Sequence, residues 1–225
     1  MLYIVPTPIG NLEDMPARAL RALREVKAVY CEDTRRTRAL MSHFGITVPL
    51  LRYNEHNRRA AEEIVGRLKG GLDAALVSDS GLPAISDPGR ALVELARRSG
   101  IRVTALPGPS AVTTALAGSG LPADSFVFLG FLPRSPGKQR RVLQEAAALK
   151  RTIVIYESPY RVLALLERVE QVLGAAAQAC VARELSKVHE EWLSGTVSEM
   201  RRELGSRREL LGEFVLVFHP EEAPA

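Results

Sequence analysis

The sequence predicts an α/β protein with largely parallel sheets, and three observations carry that expectation. Short β-branched runs alternate with amphipathic segments through most of the chain. Three of the early runs lead into loops rich in glycine and proline, as at the carboxyl edge of an open parallel sheet. A stretch rich in Gly, Pro, Ser and Thr, from Pro107 to Pro122, separates the runs into two sets. The domain boundary is therefore expected around residues 117–124, giving an N-terminal α/β domain over 1–118 and a C-terminal α/β domain over 119–225.

Strands are predicted at Leu2–Val5, Ala28–Cys31, Ala74–Val77 and Ile101–Leu106, then at Phe126–Gly130, Thr152–Tyr156, Ala179–Ala182 and Phe214–Phe218. The first carries no basic leader and is closed by Pro6 and Pro8, so it reads as a strand and not as a signal peptide. Between the strands lie helical patterns at Ala17–Val26, with Leu20 and Leu23 inward, and at Ala60–Leu68, Ala91–Ala96, Val142–Leu149 and Val162–Leu173. Asp87-Pro88, Ser135-Pro136 and Ser158-Pro159 each set a capping side chain before a proline, and Asp14 is expected to cap the first helix. After Arg183 the alternation weakens. Val188–Trp192 and Thr196–Val197 suggest a hairpin around Ser194-Gly195, so the second sheet is expected to be mixed.

Hydrophobic residues make up 46% and charged residues 25% of the 225, enough for a globular core. No run approaches the roughly 18 apolar residues of a membrane span, so no membrane partner is expected. Cys31 and Cys180 stand far apart and outside any Cys/His cluster. That argues against a structural zinc site and suits a reducing cytoplasm. The net charge is +4, and arginine supplies 25 of the 30 basic residues, a fork suited to phosphate. Clusters at Arg35, Arg36 and Arg38, at Arg58 and Arg59, at Lys138, Arg140 and Arg141, and at Arg201, Arg202, Arg207 and Arg208 fit either a nucleic-acid partner or solvated helix faces.

Three loops are built to present backbone. Thr7-Pro8-Ile9-Gly10-Asn11 follows the first strand, where proline and glycine let main chain approach a ligand. Ser78 to Gly89 holds Asp79, Gly81, Pro83, Asp87 and Pro88. Asp87 is read as a helix cap, whereas Asp79 has no cap to make and is free to bind a ribose hydroxyl or a cationic centre. Pro107-Gly108-Pro109-Ser110-Ala111 leads into a helix start, which suits a carboxylate or phosphate but also an ordinary turn. Gly118-Ser119-Gly120 follows a helix, not a strand, and is not a dinucleotide fingerprint.

These loops resemble a known signature set when joined by Cys31-Glu32-Asp33-Thr34-Arg35, Glu55-His56-Asn57, Gly130-Phe131-Leu132-Pro133, Glu157-Ser158-Pro159-Tyr160-Arg161, Arg183-Glu184-Leu185-Ser186-Lys187 and Gly212-Glu213-Phe214. They are similar in order and spacing to ribosomal RNA small subunit methyltransferase I, a family of the tetrapyrrole-methylase superfamily, from Val5 to about Val217. Four positions depart from that pattern: Ser80 for alanine, Leu82 for threonine, Tyr160 for histidine and Ser186 for threonine.

The resemblance implies two α/β domains, S-adenosylmethionine in the cleft between them, and no metal. Carried over by motif, Ile9, Gly10, Asp79, Leu82, Ser110 and Ala111 would line the N-terminal side. Tyr156, Arg183, Gly212 and Glu213 would line the C-terminal side. The implied reaction is 2′-O-methylation of a cytidine in the decoding region of 16S ribosomal RNA, within the small subunit, by a cytoplasmic homodimer. An activated sulfonium methyl leaves the protein to align the hydroxyl and take its proton. Asp33, Glu184 and Lys187 are the candidates for that, with His56 as a further one. Asp33 with Arg35, and Glu184 with Lys187, are equally readable as structural ion pairs. Arg35, Arg36, Arg134, Lys138, Arg140, Arg141 and Arg161 would hold RNA phosphates. Two rival readings stay open: methylation of a tetrapyrrole or corrin precursor, against which the basic loops argue, and a non-catalytic ribosome-assembly factor, which need not bind the methyl donor.

Overall fold

The computed structural model describes residues 1–55 and 57–220, the side chain of Arg58 excepted. The chain divides into two compact units, Met1–Ser110 and the chain from Ala111 onward. This division lies ahead of the expected boundary because the helix Ala111–Ser119 packs on strands of the second unit.

The first unit holds β1 (Leu2–Val5), α1 (Ala17–Glu25), β2 (Ala28–Cys31), α2 (Thr34–His43), β3 (Leu50–Arg52), α3 (Arg58–Lys69), β4 (Ala74–Val77), α4 (Arg90–Arg98) and β5 (Val103–Ala105). Its sheet has the order β3-β2-β4-β1-β5, and every pairing is parallel. Both faces are covered, which is why β2 and β4 are buried at every residue and read as unbroken apolar runs. On one face Ile4, Tyr30 and Leu76 meet Ile64 and Leu68 of α3 and Leu92 of α4. On the other, Val5, Val29 and Val77 meet Ala19 and Leu23 of α1 and Met41 of α2.

The second unit holds α5 (Ala111–Ser119), β6 (Phe126–Phe131), α6 (Pro136–Ala147), β7 (Thr152–Glu157), α7 (Val162–Leu173), β8 (Gln178–Arg183), β9 (Glu191–Thr196), α8 (Val197–Gly205) and β10 (Phe214–His219). Its sheet has the order β6-β7-β10-β8-β9 and is mixed: β6 and β7 run parallel, while β10 is antiparallel to both its neighbours and β9 to β8. Ile153, Ile155, Leu216 and Phe218 pack with Leu143 of α6, Leu165 of α7 and Met200 of α8. The alternate residues Val215 and Val217 face away from that core, and α5 packs against β10 and β8.

Five local expectations need correction. Ser135 stands at the N-cap of α6, but its side chain makes no cap hydrogen bond among the described residues. Ser194-Gly195 is not a hairpin tip but lies within β9, which runs unbroken beside β8. Glycine stands there because α8 closes over it: a Cβ on Gly195 would come within 2.6 Å of the Glu199 carboxylate, which completes the capping box with Thr196. Asp14 caps nothing, since it ends a 3-10 turn (Leu12–Asp14) capped by Asn11, and α1 begins after Pro16. Ser158-Pro159 lies in a turn ahead of α7, whose N-cap is Arg161. Asp87 is not the cap of α4, which starts at Arg90.

Candidate active site

In the first unit the loops after β1, β4 and β5 come together. Thr7 and Gly81 exchange backbone hydrogen bonds of 2.9 and 3.0 Å, an isolated antiparallel bridge beyond the ends of parallel β1 and β4. The Thr7 hydroxyl donates to the Ser78 carbonyl at 3.1 Å, and the Ser78 hydroxyl donates to the Gly81 carbonyl at 3.1 Å. A Cβ on Gly81 would stand 3.4 Å from the Ile9 side chain and 3.7 Å from the Pro109 carbonyl oxygen. Ile9, Asp79, Leu82 and the Pro109-Ser110 turn thus share one edge of the sheet, with Gly10 exposed beside Ile9. Ala111 opens α5.

The loop from Ser78 to Gly89 is strained. Ala84 (φ 68°) and Ser86 (φ 61°) adopt the left-handed conformation, and so does Gly81 (φ 77°). Each non-glycine residue there costs roughly 1–2 kcal/mol, the kind of strain that surrounding structure holds in place at ligand sites.

Glu55 is the true cap of α4. Its carboxylate accepts the N–H of Gly89 at 2.9 Å and of Ala91 at 3.0 Å, tying the β3–α3 connection to the far end of this loop. Asp87 is left to other work. Burial, then the nearby carboxylates Glu32 and Asp79, push its carboxyl up to about 6. Asp79 meets Arg36 of α2 through Oδ2 at 3.2 Å, while its Oδ1 is buried with no partner among the described residues. Such an oxygen accepts a hydroxyl or ammonium proton of a ligand readily. Asp33 is the N-cap of α2, taking the Arg35 N–H at 2.8 Å. The Arg35 side chain, and then that backbone bond, hold its carboxyl below the ordinary range. His56 lies outside the described residues.

In the second unit, Glu184, Lys187, Gly212 and Glu213 form one knot. The Lys187 ammonium donates to Glu184 Oε1 and Glu213 Oε2, both at 2.8 Å, and the Glu213 N–H donates to Glu184 Oε1 at 2.9 Å. Glu184 is left-handed (φ 52°). Gly212 (φ 93°) is glycine by necessity, because a Cβ would lie 2.6 Å from Cγ of Glu184. Burial disfavours both charges, but the mutual hydrogen bonds win: the Glu184 carboxyl is held below its usual range and the Lys187 ammonium above. Lys187 is therefore held as a cation that donates to both carboxylates. Arg183 donates to the Leu211 carbonyl at 2.6 Å and to Glu191 at 3.3 Å, fastening the same turn. Tyr156 of β7 is half-buried, 4.9 Å edge-on from Phe128 and 5.6 Å from Phe131 between ring centroids.

The predicted phosphate-binding residues fall into two groups. Arg36 is paired with Asp79, Arg35 with Asp33, and Arg141 with Glu145, while Arg161 grips the fully buried Glu157 at 2.7 Å. Arg134, Lys138 and Arg140 are exposed and make no ion pair among the described residues. Sequence reasoning missed Glu55 and Asp87 in these roles, because the cap comes from a residue distant in sequence. Among the described residues, no group of three or more His, Cys, Asp or Glu side chains is placed to hold a metal ion, and no helix is long and apolar enough to cross a membrane.

Ribosomal RNA small subunit methyltransferase I of Thermotoga maritima is 46% identical over 98% of this chain and 99% of its own. The Escherichia coli O157:H7 protein of that name is 44% identical over 99% of this chain and 78% of its own. Among solved structures, diphthine synthase superposes with a TM-score of 0.74 at 16% identity, covering 99% of this chain and 91% of that one. Uroporphyrin-III C-methyltransferase of Thermus thermophilus, complexed with S-adenosylhomocysteine, does so at 0.67 and 17%, covering 96% of each. The family model for Tetrapyrrole (Corrin/Porphyrin) Methylases matches residues 1–201. The chain belongs to the tetrapyrrole methylases, and within them to the family of ribosomal RNA small subunit methyltransferase I.

Proposed function

We propose that this protein is a ribosomal RNA methyltransferase that uses S-adenosylmethionine, transferring the methyl group to the 2′-oxygen of a cytidine in the decoding region of 16S RNA. The names of its relatives support the substrate class, and the motif resemblance supports the ribose oxygen and the cytidine. We further propose that it acts in the cytoplasm as a homodimer.

The observation that carries the methyl-donor reading is the orphaned Asp79 oxygen beside the strained loop. A ribose diol or an ammonium group would satisfy that buried acceptor, and the backbone turns at Ile9-Gly10, Leu82 and Ser110-Ala111 would border the same ligand. The first unit's residues therefore fit such a donor, and the motif resemblance supports assigning Tyr156, Arg183, Gly212 and Glu213 to donor binding as well. Once bound, it supplies an already activated methyl group, so the chain's own task is alignment and proton removal.

For that task, Glu184 is fixed by Lys187 and by the Glu213 N–H, an arrangement suited to accepting and orienting a hydroxyl. Asp33, anchored as a cap, orients Arg35. Asp87, whose carboxyl burial and the nearby Glu32 and Asp79 raise to about 6, is one further group able to exchange a proton near neutrality.

Small subunits lacking the modification should accept label from methyl-labelled S-adenosylmethionine, and nuclease digestion should place it on a 2′-O-methylcytidine. Label appearing only on a corrin or porphyrin precursor would overturn the assignment. If Asp87 takes the proton, Asp87→Asn should abolish the acid limb of the turnover profile near pH 6, whereas Glu184→Gln should lower turnover at every pH.

A further inference from the structure

We infer that Phe131, with Tyr156 behind it and Arg134, Lys138 and Arg140 beyond it, is a stacking platform for one unpaired base of an RNA strand. This rests on the reading of RNA as substrate and adds how a single nucleotide is engaged.

The platform comes from an irregularity in β6. Phe128 pairs with Val154 of β7, so regular register would set Gly130 opposite Tyr156. A shift between Phe128 and Phe131 sets Phe131 there instead. Gly130 (φ 62°) supplies the left-handed turn that this bulge needs. The result is a ring on the same side as Phe128, tilted 59° to Tyr156 and 58% exposed. A bulge that trades a glycine for an outward aromatic gives up burial, which is hard to explain by packing alone. The ring is backed by Tyr156 and held by an edge strand, so little freedom is lost when a base stacks on it.

The surroundings select the occupant. From Phe126 to Gln144 the chain has no acidic residue, yet it carries Arg134, Lys138, Arg140 and Arg141, and among the described residues only Arg141 of these has an acidic partner, Glu145. Arg134 follows Phe131 by three residues, a span of at most about 11 Å, so one nucleotide and its neighbouring phosphates can meet both. A second copy of this chain, docking the same patch on itself, would set cations against cations. A single-stranded polyanion with flat π-faces matches both features, and aromatic stacking of splayed-out bases is how proteins read unpaired RNA.

The test uses the full chain and a fluorescein-labelled oligocytidylate of about ten nucleotides, a length in the range of single-strand sites. Phe131→Ala and Phe131→Leu should each weaken binding about tenfold, within the range for one stacked base, and raise KM for unmodified small subunits by a similar factor. Phe131→Trp should bind as the parent does. Calorimetric affinity for S-adenosylmethionine should be unchanged in all three. Unaltered RNA affinity in Phe131→Ala overturns the platform, as does retention in Phe131→Leu, which would make the contact one of apolar area alone. A change in sedimentation of Phe131→Ala would make the ring a subunit contact and equally overturn it. Loss limited to Phe131 variants leaves the methylation reading standing or falling on its own assay: a parent chain that binds the oligomer but methylates no ribosomal RNA sinks that reading and spares the platform.

Discussion

The two units build their predicted ligand-binding residues from different materials. In the first, position is set by main chain: the Thr7–Gly81 bridge, left-handed Ala84 and Ser86, and glycines where a Cβ has no room. In the second it is set by charge: Lys187 between Glu184 and Glu213, and Arg207 bound through both Glu191 oxygens at 2.8 and 2.7 Å. A backbone-built edge is most sensitive to changes of shape, whereas an ion-built turn is most sensitive to salt and to the titration of its partners.

The sharpest way to break the comparison is a methyl group. Gly89→Ala brings a Cβ to 2.7 Å from the buried Leu76 side chain at φ 143° and should cost about 3 kcal/mol, read as a lowered urea midpoint together with loss of donor binding. Gly81→Ala has room (3.4 Å to Ile9) but keeps φ 77°, so about 1–2 kcal/mol is expected. Equal losses in the two variants would mean that crowding at Leu76 is irrelevant.

Next in size is Lys187→Met, which leaves Glu184 and Glu213 facing each other and should cost about 2 kcal/mol at pH 7 in chemical denaturation. The pH dependence follows from the shifts. Glu184 is held below its unfolded value, so its contribution is full above about pH 4.3 and fades as pH falls through its lower folded value. Lys187 is held above its unfolded value, so its contribution is full below about pH 10.4 and fades as pH rises through its higher folded value. Acid titration of the parent and of Lys187→Met should therefore converge at low pH.

Asp87→Asn acts in the other direction. Its carboxyl is raised to about 6, so the folded state favours the proton and stability falls as pH rises from about 4 to 6. Removing the charge should add about 1 kcal/mol at pH 7–8 and nothing at pH 3, allowing for solvent screening. The smallest effects belong to Arg35→Ala and Arg141→Ala, whose pairs are exposed. The thermal midpoint should stay put while RNA affinity loses part of its salt dependence. A shifted midpoint would mark them as structural.

Much of the fold could be read from residues alone where local chemistry decides. β1, β2 and β4 fall at the predicted residues because each is a short apolar run buried on both faces. β3 escapes because three residues after Pro49 carry no period. The mixed second sheet was foreseen, yet Gly195 was misread: it lies in a strand under the Glu199 carboxylate of α8, not in a turn. At the site, the loop set was legible from glycine and proline. The partners were not, since Glu55 reaches Gly89 and Arg36 reaches Asp79 only through folding. The alternative that Glu184 and Lys187 form one pair understated the case, because Glu213 makes it three.

The bridge between Thr7 and Gly81 is made by two amide–carbonyl bonds, with the Thr7 and Ser78 hydroxyls closing on the same segment. Side chains that make none of these bonds can therefore vary with little consequence, as Ser80 and Leu82 do relative to the family pattern. Distant kin can keep this set of loops after most of its lettering has gone, and would be found by tracing peptide planes sooner than by aligning residues.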